Sequence, residues 1–331
     1  MSYSFAVAGA TGLVGRSMLR VLEEREIPIS SMKLLASKNS AGKKIKFRGK
    51  NLTVEELTPA SFQGVQVALF SASSAVSRQY APIAVDAGAI VIDNSSAWRM
   101  DKTVPLLVPE VNPDTVMKHK GIIAVPNCST IQLVVALKPL HDAFGLKRVV
   151  VSTYQSLSGA GQSAVDQLMA ELKGRTPEKP KFKHPAAFNT IFHSFIEGDD
   201  YTEEERKMIN ETRKIMGIPK LPITTTCVRI PTVSAHAESV NVEFMQPTTA
   251  SKVRKVLERA PGVVVWDEPH NDLYPTVLDA GDHDEVFVGR IRKDDSNPNT
   301  LNMWVVADNV RKGAATNAVQ IMELLMERGL I

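Results

Sequence analysis

The sequence predicts an α/β fold in two domains: an N-terminal Rossmann-like, doubly wound parallel sheet, then a second domain of α+β type. Three observations predict it. A strand-like run, a glycine-rich turn and an amphipathic helix open the chain in "YSFAVAGATGLVGRSMLRVLEER". Short apolar runs then alternate with helical stretches through the first third, the order that builds a parallel sheet. After residue 146 the texture changes, and 331 residues are long for one hydrophobic core.

Taken in order, the opening strand runs to Ala8 and the first helix to about Arg25. Strand-like runs recur at 32–36, 65–70, 89–93 and 121–125, with a helical stretch over 75–87 among the connections. Beyond residue 146, "RVVVSTYQ" reads as a strand, and helices are expected over 161–172 and 202–216. Antiparallel-looking strands follow at 223–229, 239–244, 285–292 and 301–307. The Pro- and Lys-rich "KGRTPEKPKFKHP" reads as a surface loop or a partner-facing arm. A last helix over 313–328 is apolar on one side and has the character to return to the first domain. No internal repeat is apparent.

Composition narrows the function. The 39 basic and 36 acidic residues leave a formal charge of +3, with no basic stripe interleaved with aromatics, so a nucleic-acid role gets little support. A small charged metabolite is the better-matched partner. Two cysteines form neither a disulfide framework nor a Cys/His metal cluster, which points to a reducing, cytoplasmic setting and to no metal. The N-terminus lacks the pattern of a signal peptide, and no apolar run approaches bilayer length, so no membrane role is expected.

Gly9, Gly12 and Gly15 lie between strand and helix. Without side chains there, backbone N–H groups approach a pyrophosphate at a helix N-terminus, so the turn reads as a dinucleotide site. After the second strand, "ASKNSAGKK" offers Ser37, Lys38, Asn39, Ser40 and Lys43 and no carboxylate. An NAD site places Asp or Glu there; this one suits a 2′-phosphate, which favours NADP, though a solvated basic loop has the same composition.

Cys128 follows Pro126 and Asn127 and begins "STIQLVVALKPLHDAF", a helix-like apolar segment. A thiol at a helix start has its anion stabilised by the dipole and free N–H groups; an inert buried thiol is the other reading, and position alone does not choose. Cys227, inside "TTTCVRI", reads as packing. A nicotinamide cofactor beside a cysteine nucleophile suggests a thiohemiacetal that yields hydride and leaves an acyl thioester. The N–H groups at the helix start are candidates for an oxyanion hole. His236 lies in an irregular stretch between strands with Arg229 upstream and is a candidate acid/base; His184 and His193 flank "PAAFNTIF" without declaring a role. Thr202 and Glu205 form a capping box, and Glu204 and Lys207 share a helix face at i, i+3, as a surface ion pair or as a paired acceptor and cation.

Together, "GATGLVG", "SSAWRM", "VPEVN", "PNCST", "QSLSGAGQ", "EEERKMINET" and "VRIPTVSAHAESV", with the C-terminal "DNVRKGAATNAVQ", resemble the aspartate-β-semialdehyde dehydrogenase family over nearly the whole chain. The resemblance implies reversible NADP-dependent reductive dephosphorylation of L-4-aspartyl phosphate to L-aspartate 4-semialdehyde, on the route to lysine, threonine, methionine and diaminopimelate. It implies Cys128 as acyl-thioester nucleophile, His236 as acid/base and Gln155 orienting the acyl group. Arg229 would clamp the α-carboxylate, Glu204 would meet the ammonium, and Arg99, Lys207 and Asn127 would hold phosphate. Thr11, Gly12, Leu13 and Val14 would meet the pyrophosphate beside Gly9, with Ser37, Asn39 and Ser40 near the 2′-phosphate. Ser158 and Gly159 would face the nicotinamide, and Asn309 would bind its carboxamide. The implied division is a cofactor domain over 1–127 completed by 311–331, and a catalytic and dimerisation domain over 128–310, in a homodimer or homotetramer.

Three departures from the family's pattern stand out. Asn39 stands where many relatives carry Arg, Ala235 and Ala237 flank His236 in place of Gly and Ser, and Phe192 replaces a usual Pro. Two readings compete: N-acetyl-γ-glutamyl-phosphate reductase, which needs no carboxylate at Glu204, and a non-catalytic dinucleotide-binding regulator, which needs neither nucleophile nor base. A hydrolytic aldehyde dehydrogenase would leave Arg99 and Lys207 superfluous.

Overall fold

A computed structural model of the chain describes residues 2–331. The chain forms two compact units, Met1–Pro126 with Ala314–Ile331, and Asn127–Gly313.

In the first unit, β1 (Tyr3–Ala8), α1 (Leu13–Glu24), β2 (Ile29–Ala36), β3 (Lys44–Phe47), β4 (Lys50–Glu56), β5 (Val67–Phe70), α2 (Ser74–Asp86), β6 (Ile90–Asp93) and β7 (Ile122–Ala124) succeed one another. The sheet order is β3-β4-β2-β1-β5-β6-β7. All neighbours are parallel except the β3/β4 hairpin, which the sequence reading missed. Phe5, Val7, Leu35, Leu69 and Ile92 on the central strands are fully buried, as a parallel sheet covered on both faces requires. Gly9 shows why the opening turn needs glycine: its φ is +85°, and a Cβ there would lie 2.2 Å from the carbonyl oxygen of Ser71.

In the second unit, α3 (Cys128–Phe144), β8 (Leu146–Gln155), α4 (Gln162–Leu172), β9 (Ile191–Phe192), α5 (Glu203–Met216), β10 (Ile223–Arg229), β11 (His236–Phe244), α6 (Ala250–Leu257), β12 (Val263–Val265), α7 (Val277–Ala280), β13 (Val286–Lys293) and β14 (Thr300–Ala307) build one sheet with its helices. The order is β12-β13-β14-β11-β8-β10-β9. Of the strands expected to be antiparallel, β11, β13 and β14 pair so, whereas β10 runs parallel to β8; β12, which was not foreseen, runs parallel to β13. Parallel β8 and β10 end together, so Gln155 and Arg229 sit side by side, and antiparallel β11 brings His236 opposite Gln155.

After residue 313, α8 (Thr316–Glu327) packs on the first unit, where Asn317 donates to the carbonyl of Leu107 and Arg25 pairs with Glu323 at 2.9 Å. The capping box expected at Thr202 is present. Its hydroxyl accepts from the N–H of Glu205 (3.3 Å), and the Glu205 carboxylate accepts from the N–H of Thr202 (2.7 Å). Because α5 carries Glu204 and Lys207 in its first turns, Thr202→Ala should cost about 1 kcal/mol. The check is urea unfolding: the midpoint falls, with the circular dichroism of the folded state unchanged.

Candidate active site

The site in the second unit begins at the start of α3. Asn127 is its N-cap, with Oδ1 accepting from the N–H groups of Ser129 (3.0 Å) and Thr130 (3.3 Å). Those two donors are therefore occupied and drop out of the oxyanion hole expected from the helix start. The other end of the Asn127 amide donates to Glu204 Oε1 at 2.8 Å, and its backbone N–H donates to Glu211 Oε2 at 2.6 Å. Cys128 is the first helical residue and is half-buried. Gly313 permits the chain to pass it: a Cβ there would come within 2.7 Å of Cys128 Cβ. Sequence reasoning did not single out Gly313, and its only signal was a lone glycine inside "DNVRKGAATNAVQ". Cys227 is fully buried in β10 against Met208, and burial pushes its thiol up, which suits packing.

His236 is not in an irregular stretch. It is the first residue of β11, paired with Gln155 and Ala307. "SAHAES" has little strand propensity, and long-range pairing decides the outcome. Ala235 before it adopts φ +61°, a conformation that glycine would take without the cost of about 1 kcal/mol. Ala237 points to the opposite sheet face, into an apolar cluster with Ala280, Phe287 and Val306. A hydroxyl there would not reach the imidazole. The N–H of Ser156 donates to His236 Nδ1 at 3.0 Å, which assigns the ring proton to Nε2. That nitrogen is buried with no hydrogen-bond partner. Burial first, and then Arg229, push the imidazole down to about 3, so the ring is a neutral N–H donor. Gly159 leaves the ring approachable, since a Cβ there would stand 3.2 Å from both His236 Nε2 and Arg229 Nη1.

Gln155 is buried, its Nε2 donating to Ser129 Oγ (2.8 Å) and Glu204 Oε1 (3.3 Å), its Oε1 without a partner. Glu204 is buried too. Burial opposes its charge, but His193, Lys207, Arg229 and the Asn127 hydrogen bond outweigh this and bring the carboxyl to about 2. Lys207 Nζ lies 3.6 Å from Glu204 Oε2 on the shared helix face and 3.6 Å from Glu203. Arg229 Nη1 donates to the carbonyl of Ser156 (3.1 Å), and Nη2 lies 3.5 Å from Nδ1 of His193. Burial lowers Arg229, and the charges of Glu204 and Cys128 oppose that shift. Ser158 and Asn309 also meet: Asn309 Oδ1 accepts from Ser156 Oγ (3.1 Å) and Ser158 Oγ (3.2 Å).

The first unit holds the other expected residues. A cleft of about 530 Å³ is lined by Gly9, Thr11, Gly12, Ser37 and Lys38, and by Glu56, a carboxylate that sequence reasoning missed. Glu56 ends β4 and pairs with Ala36, so it arrives from the unforeseen hairpin. Leu13 and Val14 open α1, while Asn39 and Ser40 form a short 3-10 turn; none of these four lines the cleft. Arg99 is largely buried, donating to the carbonyls of Val125 (3.0 Å) and Asn94 (2.8 Å). Thus Cys128, Gln155, His236, Arg229, Glu204, Lys207 and Asn127 are gathered in the second unit, with His193 among them, and Arg99 belongs to the first. Among the described residues, no group of three His, Cys, Asp or Glu is placed to hold a metal, and no helix is long and apolar enough to cross a membrane.

Residues 4–119 match the family described as semialdehyde dehydrogenase, NAD binding domain, and residues 137–312 that described as semialdehyde dehydrogenase, dimerisation domain. The chain is 53% identical over 341 residues to aspartate-semialdehyde dehydrogenase of Aquifex aeolicus, covering 100% of both. A crystal structure of aspartate semialdehyde dehydrogenase II from Vibrio cholerae, complexed with ASA, is 46% identical with a TM-score of 0.95, over 99% of each chain. The crystal structure of aspartate semialdehyde dehydrogenase with NADP from Candida albicans is 26% identical with a TM-score of 0.79, over 100% of each chain.

Buried His236 and half-buried His193 make stability depend on pH. His236 is lowered to about 3 and His193, chiefly by burial, to about 4, whereas both take a proton near 6.5 in the unfolded chain. Below 6.5 the unfolded state binds protons that the folded state refuses, so stability is present above that pH and is lost as pH falls towards 4. Denaturant midpoints measured between pH 7.5 and 4.5 should decline, and His193→Gln should make the decline shallower.

Proposed function

The chain belongs to the aspartate-semialdehyde dehydrogenase family, oxidoreductases with a nicotinamide-dinucleotide domain, and on that premise we propose the reaction its own residues perform. It is the reversible, NADP-dependent reductive dephosphorylation of L-4-aspartyl phosphate to L-aspartate 4-semialdehyde through an acyl thioester on Cys128. The pathways served are lysine, threonine, methionine and diaminopimelate biosynthesis, with a homodimer assembled through the second unit. The carrying observation is the gathering of a half-buried thiol at a capped helix start with the unpartnered Nε2 of His236 and two opposite charges, half-buried Arg229 and buried Glu204.

The residues of the first unit fit a dinucleotide. The turn at Gly9 has no room for a Cβ, and Ser37 and Lys38 line the cleft beside it. Lys38 suits a 2′-phosphate, and the presence of NADP in the Candida albicans relative favours that cofactor; Glu56 opposes it and keeps the preference over NAD moderate. When bound, the nicotinamide supplies hydride to the thioester carbon or accepts it in the reverse direction.

The Cys128 thiolate attacks the acyl carbon, a C–S bond forms, and the C–O bond to phosphate breaks with its electrons leaving on phosphate. Arg99 and Lys207 supply cationic ligands for that anion. Asn127 adds a donor for the phosphate: its Oδ1 is taken by the helix start, while Nδ2 carries two hydrogens, of which Glu204 accepts one. His236 donates Nε2–H to the oxyanion, the part the occupied N–H groups of α3 do not take. Being neutral, it stabilises by hydrogen bonding ahead of full proton transfer. Collapse of the thiohemiacetal breaks the C–S bond and restores the thiolate. Arg229 binds the α-carboxylate and ionised Glu204 the α-ammonium. An N-acylated substrate has no cation for Glu204, which disfavours the glutamyl-phosphate reductase reading.

Cys128→Ala should abolish turnover in a phosphate-dependent NADP reduction assay with aspartate semialdehyde while leaving NADP affinity within about twofold; unchanged turnover contradicts the scheme. In the same assay NADP should outperform NAD, and Glu56→Gln should widen the kcat/KM ratio by roughly threefold, as removal of one exposed like charge allows. An unchanged or narrowed ratio removes Glu56 from cofactor choice.

A further inference from the structure

His193 has no part in the chemistry above, yet it lies among the charged groups assigned to the substrate. It follows the two-residue strand β9, in which Ile191 pairs with Arg229 and Phe192 with Val228. That short pairing delivers its ring to the guanidinium, 3.5 Å from Nδ1 to Arg229 Nη2. Arginine only donates, so Nδ1 accepts and the ring proton sits on Nε2. Nε2 is buried and unpartnered. Burial and the neighbouring cations Arg229 and Lys207 keep the ring uncharged, while Glu204 is its foremost opposite charge.

The surroundings set a physical problem. Glu204 and Arg229 are opposite charges in a water-poor site, where their direct attraction is strong. Left alone they would close on each other and neutralise the pair that an amino acid must meet. No ion pair between them occurs among the described residues, because each is held elsewhere. Glu204 is tied by Asn127, Gln155 and Lys207, and Arg229 by the carbonyl of Ser156 and by His193.

We propose that His193 is a positioning residue that sets specificity for a substrate carrying both an α-carboxylate and an α-ammonium. It holds the Arg229 guanidinium in place as a neutral acceptor and keeps it from collapsing onto Glu204. This rests on the functional reading above and adds a residue to it. Neutrality matters, since a cationic side chain here would lose the acceptor that Arg229 needs and would itself pair with Glu204. The role concerns binding of the amino-acid head, so it separates KM from kcat.

The test is steady-state kinetics of the full-length enzyme with aspartate semialdehyde, phosphate and NADP. His193→Leu should raise KM for the semialdehyde about tenfold or more, as loss of a hydrogen bond to a charged group does. Its kcat should stay within about threefold, and KM for phosphate should be unchanged. His193→Gln keeps an acceptor and an N–H and should return KM to within about threefold of the parent. Discrimination against 4-oxobutanoate, which lacks the amine, should shrink in His193→Leu and recover in His193→Gln. If His193→Leu does not fold, His193→Met supplies the apolar comparison. An unchanged KM in the apolar variant, or a Gln variant as impaired as the apolar one, overturns the proposal. A parent enzyme inactive on aspartate semialdehyde instead overturns the functional reading on which it rests.

Discussion

Asn127 is the junction on which the second unit's site depends. One side-chain amide caps α3 with its oxygen and grips Glu204 with its nitrogen, while the backbone N–H of the same residue bonds Glu211. The start of the helix that carries Cys128 is thereby fixed to α5, the helix that carries Glu204 and Lys207. A cap of this kind contributes on the order of 1 kcal/mol to a helix. Here it also sets where the thiol stands relative to a buried carboxylate.

The electrostatics follow from that junction and from the sheet. Parallel β8 and β10 end level with one another, and β11 begins opposite them, so Gln155, Arg229 and His236 come from three adjacent strand ends. Burial makes charge costly there, and the groups respond according to their partners. Glu204 has a lysine, an arginine and two amide donors around it and stays ionised. The two histidines face cations and stay neutral. A negative group, a positive group and a neutral N–H donor are therefore held in fixed places near one thiol, which suits a zwitterionic acyl substrate whose reacting carbon develops an oxyanion.

Much of this was legible in the chain because the signals are local. The glycine turn after β1, the capping box at Thr202 and the Asn-Cys start of α3 each sit within a few residues, and each implies its own geometry. What depended on distant partners was not legible. β3, at the sheet edge, and β4 beside it both carry lysine, and their alternation is masked by polar residues, so Glu56 was not seen to approach the second strand. The parallel pairing of β8 with β10 leaves no trace in either strand alone. His193 lies beyond a two-residue strand with no periodicity to read, and Gly313 shows its necessity only once Cys128 stands beside it. The occupied donors at the head of α3 likewise required coordinates, because Asn127 could have capped the helix or left it open.

The chemistry of the site turns on whether the sulfur of Cys128 becomes covalently acylated. Peptide mass spectrometry after mixing the enzyme with aspartate semialdehyde and NADP, with phosphate withheld, addresses this directly. One aspartyl group is expected on the peptide bearing Cys128, removed when phosphate is added. An enzyme that reduces NADP while that peptide stays unmodified, or that carries the acyl group on another residue, would contradict it.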